Sequence, residues 1–435
     1  MSSPHQRESK LRMMPRMNRC LVHGLKSFII QQATMSQNRM QSPTPDPIGV
    51  IVTSGISANA LGIIRSLGRR GIPVVYIDSD PDSTARHSRY INERLTCKEI
   101  SDSESNYVKL LKDFGKQQNG RMMVIPIGDE AVLALSKHRG ELEPFYHLPV
   151  PEYETAQKLV NKKRFYRMLN EMQIPHPKTY FPASLAELMS LGEKLAFPYI
   201  IKPAYSIPFQ REFGRKVFQV QSLQDLDCAS ARLRDKNMEV MIQEIIPGRE
   251  IYAFFTYFNK SSEPLAICGW DKIRQYPLDF GCGTFCKSNW RPAAADYSLR
   301  LLRTIGYHGF AEVEVKMDPR DGEYKMIEIN TRTSLQNTLA AACGADIAYV
   351  AYLDAGGQVE GSSLSFRNSI LWAEDFLDTV SFLKHLGRRD ISIGEVVESL
   401  NPRKVRSVAA WDDPVPLFSW VVTLSSRALR RLFHR

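Results

Sequence analysis

Alternating apolar and polar positions define two neighbouring strands in the second half of the chain. Residues 311–317 read Ala-Glu-Val-Glu-Val-Lys-Met, and residues 324–330 read Tyr-Lys-Met-Ile-Glu-Ile-Asn. Both runs have a period of two, which is typical of strands that bury one face. Between them, Asp-Pro-Arg-Asp-Gly at positions 318–322 favours a tight turn. The pattern therefore predicts a β-hairpin.

The register of this hairpin decides what its polar face can do. We expect Glu314 to lie opposite Glu328. Glu312 then falls opposite Asn330, and all four side chains point to one face. Facing carboxylates repel each other, whereas two carboxylates and an amide oxygen are hard ligands that suit Mg²⁺ between them. The hairpin alone leaves two interpretations open, a metal site or a solvated edge hairpin.

The apolar pattern also predicts a parallel α/β unit near the N-terminus. Apolar strands at 48–53 and 73–78 flank a helix at about 57–70, and a later strand covers 122–127. This βαβ order favours a parallel sheet. The turn after the first strand lacks G-x-G-x-x-G, which argues against a dinucleotide site. A substrate site at the carboxyl ends of the strands stays open.

Two lysines occupy positions that attract anions. A basic helix begins at Lys162 and Lys163, where the helix dipole and the ammonium charge add together. The apolar strand 197–203 ends with Lys202, a compact cation that suits phosphate oxygens. Taken alone, each lysine is more simply explained as a solvated surface cation.

Further candidate contacts follow later in the chain. A Gln-Glu strand at 238–246 can offer backbone groups to an adenine edge, and Glu250 follows a Pro-Gly turn, where a carboxylate can hold ribose hydroxyls. Arg332 comes two residues after the hairpin and can grip a carboxylate or a transferring phosphoryl group. The candidates for anionic substrate contacts, which solvated cations would equally explain, are Lys272, Arg274 and Arg291.

Charge and composition narrow the class of protein. The 435 residues carry a formal net charge of +10, but residues 1–46 and 401–435 each hold seven basic and two acidic residues, which leaves the body neutral. Without a basic stripe interleaved with aromatics, nucleic acid is not an expected partner. No apolar run approaches the length of a membrane span. Seven scattered cysteines favour reduced thiols and a cytoplasmic protein.

The two basic ends have no strand or helix pattern that continues the body. Residues 1–46 are predicted to be disordered, with a transit peptide or a start codon assigned too far upstream as alternatives. Residues 416–435 mix apolar residues with arginines, as in a basic amphipathic helix. Docking on its own domain is the first interpretation of this end, and weak contact with anionic lipid is the second.

The order of these features resembles the ATP-grasp superfamily. The strand Phe-Pro-Tyr-Ile-Ile-Lys-Pro looks like the phosphate-lysine strand of that family, and Gln-Glu-Ile-Ile-Pro-Gly-Arg-Glu looks like its adenine and ribose segment. The acidic hairpin is similar to its Mg²⁺ hairpin. Within the superfamily, residues 48–357 are most similar to the carboxylate–amine ligases, including the D-aspartate ligase group.

The resemblance implies a mixed α/β and α+β fold, an ATP-grasp fold with an N-terminal Rossmann-like pre-ATP-grasp domain. The predicted domains are a disordered basic segment (1–46), the pre-ATP-grasp domain (47–150), the ATP-grasp domain (151–357, with a lid at about 185–245) and a C-terminal extension with a basic amphipathic end (358–435).

The resemblance also implies ATP and Mg²⁺ (or Mn²⁺) as cofactors, and it implies which residues contact them. The expected ATP contacts are Lys162 (or Lys163) and Lys202 at the phosphates, Gln243, Glu244 and Ile246 at adenine, and Glu250 at ribose. The expected metal ligands are Glu314, Glu328 and Asn330. Arg332 is expected to meet the acyl phosphate or the substrate and, with Lys202, to act in catalysis.

The implied activity is that of an ATP-dependent ligase, which joins a small-molecule carboxylate to an amine through an acyl phosphate and releases ADP and phosphate. Two alternatives stay open: a non-catalytic ATP-binding regulatory or partner-binding protein, and a kinase that stops at phosphoryl transfer. The sequence names neither substrate, and it leaves a homo-oligomer open.

One segment departs from the family pattern. The family usually has a glycine-rich loop after the strand lysine, whose backbone N–H groups cover the phosphates. Here residues 205–216 contain only Gly214, surrounded by Gln210, Arg211, Arg215 and Lys216. Either side-chain cations replace the backbone groups, or the lid is looser than in the family.

Overall fold

A computed structural model describes residues 48–53, 55–359, 361–362 and 364–423. The predicted disordered segment 1–46 and the final residues 424–435 lie outside these described residues. Among the helices that are described, none is long and apolar enough to cross a membrane.

The N-terminal part is built on the predicted parallel sheet. Its strands are β1 (Val50–Val52), β2 (Val74–Asp78), β3 (Glu93–Thr96), β4 (Met122–Ile125) and β5 (Tyr146–His147). They pair in parallel in the order β3-β2-β1-β4-β5. The chain reverses its winding direction between β1 and β4, so a crevice opens at the carboxyl ends of these two strands.

Helices cover both faces of this sheet. They are α1 (Ser57–Gly68), a 3₁₀ turn (Thr84–His87), α2 (Glu104–Gly115), α3 (Asp129–Lys137) and α4 (Arg139–Leu142). Val50 and Val52 join one hydrophobic core and Ile51 joins another, because successive strand residues point to opposite faces. The near-continuous apolar run of β1 is explained by this double burial.

The middle part contains a four-stranded antiparallel sheet. Two helices, α5 (Tyr153–Val160) and α6 (Lys162–Glu171), precede this sheet. The strands and the helices between them are β6 (Thr179–Tyr180), α7 (Leu185–Lys194), β7 (Tyr199–Pro203), α8 (Ser206–Phe213), β8 (Phe218–Val220), α9 (Leu223–Leu233) and β9 (Val240–Glu244). The strand order is β6-β9-β7-β8. Helix α8 lies in the glycine-poor segment and ends at Gly214. The φ of this residue is +66°, a left-handed conformation that glycine adopts readily because it has no side chain.

The third part is a seven-stranded sheet in the order β14-β13-β10-β11-β12-β15-β16. Its elements are β10 (Ile251–Phe258), β11 (Pro264–Tyr276), β12 (Cys282–Ser288), α10 (Pro292–Thr304), β13 (Gly309–Asp318), β14 (Glu323–Asn330), α11 (Asn337–Ala342), α12 (Ile347–Ala355), β15 (Leu371–Ala373), α13 (Leu377–Arg388), α14 (Ile393–Leu400) and β16 (Val405–Arg406). Strands β15 and β16 come from the region after residue 357 and extend the sheet. The domain boundaries themselves stay predictions.

The hairpin register is confirmed. Glu314 pairs with Glu328, and Glu312 pairs with Asn330. On the other face of β13, Val313 and Val315 are fully buried in the core that includes α10. Because strand residues alternate between faces, this burial directs the acidic side chains away from α10 and towards the middle part of the molecule.

Candidate active site

Each of the two facing carboxylates is held by a lysine from a different element. Glu328 Oε2 accepts a hydrogen bond from Lys162 Nζ at 2.7 Å, and Glu314 Oε2 accepts one from Lys272 Nζ at 2.8 Å. Lys162 begins α6, and Lys272 lies on β11. The charge of Lys162 holds the pKa of Glu328 well below its usual range, so this partly buried carboxylate stays ionised.

Lys202 is buried and has no carboxylate partner among the described residues. Its Nζ donates to Tyr166 Oη at 3.0 Å and lies 5.0 Å from the centre of that ring. Burial lowers the pKa of Lys202, while the charges of Glu328 and Glu314 oppose that shift. A phosphate oxygen beside this nitrogen would supply the missing counter-charge.

A further lysine reaches the site from the glycine-poor segment. Lys216 Nζ donates to Cys282 Sγ at 3.4 Å, and its charge contributes to the low pKa of Glu328. Arg211, from the same segment, turns to Glu99 at 3.3 Å instead. The position of Lys216 supports the interpretation that a side-chain cation replaces part of the missing glycine-rich loop.

The hairpin meets the crevice of the parallel sheet through Arg332. Its Nε lies 3.4 Å from Asp129 Oδ1, and its Nη1 lies 3.8 Å from Glu312 Oε2. Asp129 begins α3, directly after the carboxyl end of β4. Burial raises the pKa of Glu312 to about 7, and the charge of Arg332 opposes this rise. A carboxylate at the start of α3 and one on β13 therefore flank the guanidinium.

The predicted metal ligands form a donor set that fits Mg²⁺. No cluster of three His, Cys, Asp or Glu side chains suited to a metal exists in the described part of the chain. The predicted set instead combines Glu314 and Glu328 with the amide of Asn330, whose Nδ2 lies 3.3 Å from Glu328 Oε1. Mg²⁺ usually takes one or two carboxylates and completes its shell with waters and substrate phosphates, which this partly open hairpin face can accommodate.

The predicted adenine and ribose residues lie along β9 and the turn that follows it. Gln243 is buried, and its Nε2 donates to Thr179 Oγ1 at 2.9 Å. Glu244 accepts from Lys178 N at 2.8 Å, and the Ile246 carbonyl accepts from Lys316 Nζ at 2.7 Å. Glu250 is exposed at the start of β10. The contacts of Gln243, Glu244 and Ile246 are thus internal to the protein, and the adenine and ribose assignments stay predictions.

Not every predicted residue converges on the hairpin. Lys163 turns to Glu239 at 3.3 Å, so the geometry favours Lys162 of the two helix lysines. Arg274 makes a double contact with Asp378 at 2.9 and 2.7 Å, away from the carboxylate pair. Arg291 contacts Asp271 at 2.6 Å. A cavity of about 230 Å³ is lined by Arg291 together with Lys272, Glu250, Tyr324 and Glu395, among others.

Sequence reasoning missed two residues that the structure brings to the site: Tyr166 and Asp129. Tyr166 lies four residues after Lys162 on α6, and this spacing places both side chains on one helix face. Asp129 follows β4 in a Gly-Asp-Glu turn, where substrate residues of parallel sheets are common. Both signals are visible in the sequence once the fold is known.

Sequence comparison agrees with this geometry. Residues 285–359 match the family model described as carbamoyl-phosphate synthase L chain, ATP binding domain. D-aspartate ligase from Enterococcus faecium (strain Aus0004) is 25% identical over 316 residues, which cover 68% of this chain and 73% of that protein. The chain also matches carbamoyl phosphate synthase large chain from Methanobrevibacter smithii, but it spans only 27% of that protein.

Solved structures share the fold. N5-carboxyaminoimidazole synthetase from Staphylococcus aureus, complexed with ADP, has a TM-score of 0.60 at 14% identity and covers 80% of this chain and 89% of its own. L-amino acid ligase from Bacillus licheniformis has a TM-score of 0.56 at 16% identity, with coverages of 75% and 79%. The chain therefore has the fold of the ATP-grasp ligases. The relatives that it resembles are ATP-dependent ligases that form carbon–nitrogen bonds.

Proposed function

We propose that this protein joins a carboxylate to an amine through an acyl phosphate, using ATP and releasing ADP and phosphate. The observation that carries the proposal is the ring of cations around two facing carboxylates. Lys162 and Lys272 contact Glu328 and Glu314, and Lys202 is buried beside them without a carboxylate partner. Such an arrangement suits a metal-bound polyphosphate, because both anions and cations of the site find counter-charges in it.

The first step requires two anions to meet. A substrate carboxylate attacks the γ-phosphorus of ATP, the bond to the bridging oxygen breaks, and ADP leaves. Lys162 and Lys202 are the side chains that would hold the phosphates, and Arg332 would orient the carboxylate through its guanidinium. Mg²⁺ (or Mn²⁺), held by Glu314, Glu328 and Asn330, would offset the negative charge of the phosphates when bound.

The second step joins the amine to the acyl carbon and expels phosphate. Water would destroy the acyl phosphate, so the site must exclude solvent while the intermediate exists. The antiparallel sheet of β6–β9 with α7, α8 and α9 carries Lys202 and Lys216, and we assign the role of lid to it. Closure of this element would shield the intermediate and bring both lysines to the phosphates.

Amino acids are the first substrates to test. The relative named D-aspartate ligase covers two thirds of this chain, and its name supports an amino acid as one of the two substrates. Arg332 offers a guanidinium that fits a carboxylate, and Asp129 lies 3.4 Å from it.

We also propose a cytoplasmic location, and light scattering of the purified protein would test for a homo-oligomer.

The test is ADP release across a matrix of carboxylates and amines, with hydroxylamine added to trap acyl phosphates. The proposed ligase releases ADP fastest when both substrates are present, and mass spectrometry finds the amide. A kinase would release ADP equally well without the amine. A non-catalytic binding protein would bind ATP, measured by calorimetry, and release no ADP with any pair.

A further inference from the structure

Helix α14 is attached to the protein by its polar side. None of its residues is buried. Ile393, Val397 and Leu400 form one stripe along it at spacings of four and three residues, and they are 64–85% exposed. Amphipathic helices of globular proteins normally bury this stripe. Helix α14 has the reverse orientation, and its apolar stripe faces away from the protein.

Helix α13 is reversed in the same way. Its buried residues are Asp378, Ser381 and His385, while Leu383 and Leu386 are more than half exposed. Ser381 Oγ donates to the Gln275 carbonyl at 2.8 Å. The polar side of α13 thus contacts strand β11, and Leu383 and Leu386 point away from it.

A single arginine shows that the two reversed helices are neighbours. Arg274 on β11 contacts Asp378 of α13 through Nε and Nη2, and its Nη1 donates to Ser399 Oγ of α14 at 2.8 Å. Lys287 of β12 contacts Glu398 of α14 at 2.7 Å. Because both helices lie with their polar sides on the same two strands, their apolar sides share one outer surface.

The helical residues 415–423 extend this surface. Trp420 packs against Phe376, just before α13, with ring centres 5.3 Å apart. Phe418 and Val422 are about two thirds exposed. Of the 17 large apolar side chains that are exposed in the described chain, 11 fall within residues 376–422. We call the side chains of Leu383, Leu386, Ile393, Val397, Leu400, Phe418 and Val422 the C-terminal apolar surface.

Around the C-terminal apolar surface, residues 376–423 hold six basic and six acidic residues, which differ in how they are paired. Each carboxylate has a partner within the protein, although Asp390 and Asp412 are exposed: Asp378 pairs with Arg274, Asp390 with His385, Glu398 with Lys287, Asp412 with Arg69 and Asp413 with Arg65, and Glu395 accepts from Ser392 N. The exposed basic residues of the same region that form no ion pair in the described part of the chain are Lys384, Arg388, Arg389 and Arg403. Beyond residue 423, positions 424–435 add four arginines and no acidic residue.

We propose that the C-terminal apolar surface docks this protein onto an anionic lipid bilayer. Apolar side chains surrounded by cations match the interface of such a membrane, where acyl chains lie below anionic headgroups. A second copy of the chain would bring the same cations against them, and residues 424–435 would bring four more arginines. Charge repulsion therefore disfavours both of these occupants. The proposal is independent of the ligase reaction.

Flotation of the full chain with two kinds of vesicle tests the proposal. We expect binding to vesicles of phosphatidylcholine mixed with phosphatidylserine and no binding to phosphatidylcholine alone. High salt should weaken the binding, because surface charges are screened within about 3 Å at 1 M ionic strength. Failure of the full chain to bind the phosphatidylserine vesicles would overturn the proposal.

Surface variants separate the apolar and the charged contributions. The triple variant Ile393→Ser, Val397→Ser, Leu400→Ser should reduce vesicle affinity about tenfold or more, as should Arg388→Glu, Arg389→Glu, Arg403→Glu. Their matched controls are Leu223→Ser, at an exposed leucine of α9, and Lys109→Glu with Lys194→Glu. All variants should keep the wild-type melting temperature, since these side chains are exposed.

Two outcomes would assign the surface to another occupant. If the wild type is a dimer by analytical ultracentrifugation and the triple serine variant is a monomer, the surface binds a second copy. If deletion of residues 424–435 increases vesicle binding, those residues cover the surface in the full chain. Either result, or unchanged vesicle binding by the triple serine variant, would overturn the proposal.

Discussion

Two cations on strand β11 look alike in the sequence and differ in the structure. Lys272 and Arg274 are both almost fully buried, with side chains 3% and 1% exposed. Lys272 contacts Glu314 of the acidic hairpin, whereas Arg274 contacts Asp378 of helix α13. Both were expected to contact an anionic substrate. Only Lys272 lies at the carboxylate pair.

Arg274 and the groups around the hairpin differ in how completely protein partners satisfy them. Arg274 uses Nε, Nη1 and Nη2 on protein oxygens and stacks 4.2 Å over the Phe285 ring. At the hairpin, Lys202 has no carboxylate among the described residues, and Asp129 Oδ1 is buried without a hydrogen bond. Buried polar groups are normally paired, so incomplete pairing of this kind indicates a ligand site, and complete pairing indicates a structural role.

We expect the largest effect on activity when a charge is removed from the predicted metal site. Glu328→Gln should lower the rate of Mg²⁺-dependent ADP formation by about a thousandfold, because a neutral amide cannot balance the cation and the surrounding lysines. The measurement is ADP release at saturating substrates, together with a melting curve. Glu323→Gln, on the same strand but exposed, is the control and should keep wild-type activity. Near-normal turnover in folded Glu328→Gln protein would contradict the assignment.

The second prediction concerns Arg274, the cation to which we assign a structural role. Arg274→Ala should lower the free energy of unfolding by about 3–5 kcal/mol, because it leaves the Asp378 carboxylate buried without its partner. The double variant Arg274→Met, Asp378→Leu removes both charges and should recover most of this loss. Chemical denaturation measures both effects. If Arg274→Ala instead keeps full stability and weakens substrate binding, Arg274 belongs to the active site.

The third prediction concerns the cation without a carboxylate. Lys202→Ala should weaken ATP affinity about tenfold to a hundredfold, since a charge-assisted contact contributes about 1.5–3 kcal/mol. Lys202→Arg should not restore full function, because a planar guanidinium replaces a compact ammonium. Calorimetry with ATP measures the affinity, and Lys163→Ala, whose lysine faces Glu239, is the control. Equal affinities for wild type and Lys202→Ala would leave Lys216 as the phosphate contact.

The sequence predicts the hairpin better than it predicts the roles of these cations. Val313 and Val315 alternate with the acidic residues, and their burial alone determines which face Glu314 takes. The partner of Arg274 lies 104 residues away, so no local pattern identifies it. The glycine-poor segment aligns with a loop of the family, yet residues 206–213 form a helix that precedes Lys216.

The C-terminal region shows a second limit of pattern reasoning. The spacing of Ile393, Val397 and Leu400 indicates a helix with an apolar stripe, and α14 is such a helix. Periodicity does not say which side faces the protein. Here the polar side does, because Glu398 and Ser399 find Lys287 and Arg274 on the sheet. A local pattern fixes the helix, and distant partners fix its orientation.

The smallest expected effect belongs to Asp129, which sequence reasoning missed. Asp129→Asn removes one of the two carboxylates beside Arg332 and leaves Glu312, 3.8 Å from the guanidinium. A partly exposed ion pair contributes up to about 1 kcal/mol, so KM for the carboxylate substrate should rise about fivefold or less with little change in kcat. A double-mutant cycle with Arg332→Lys measures whether the two residues act together. If their effects simply add, Asp129 does not position Arg332, and its Oδ1, which accepts no hydrogen bond, is then available to contact the substrate itself.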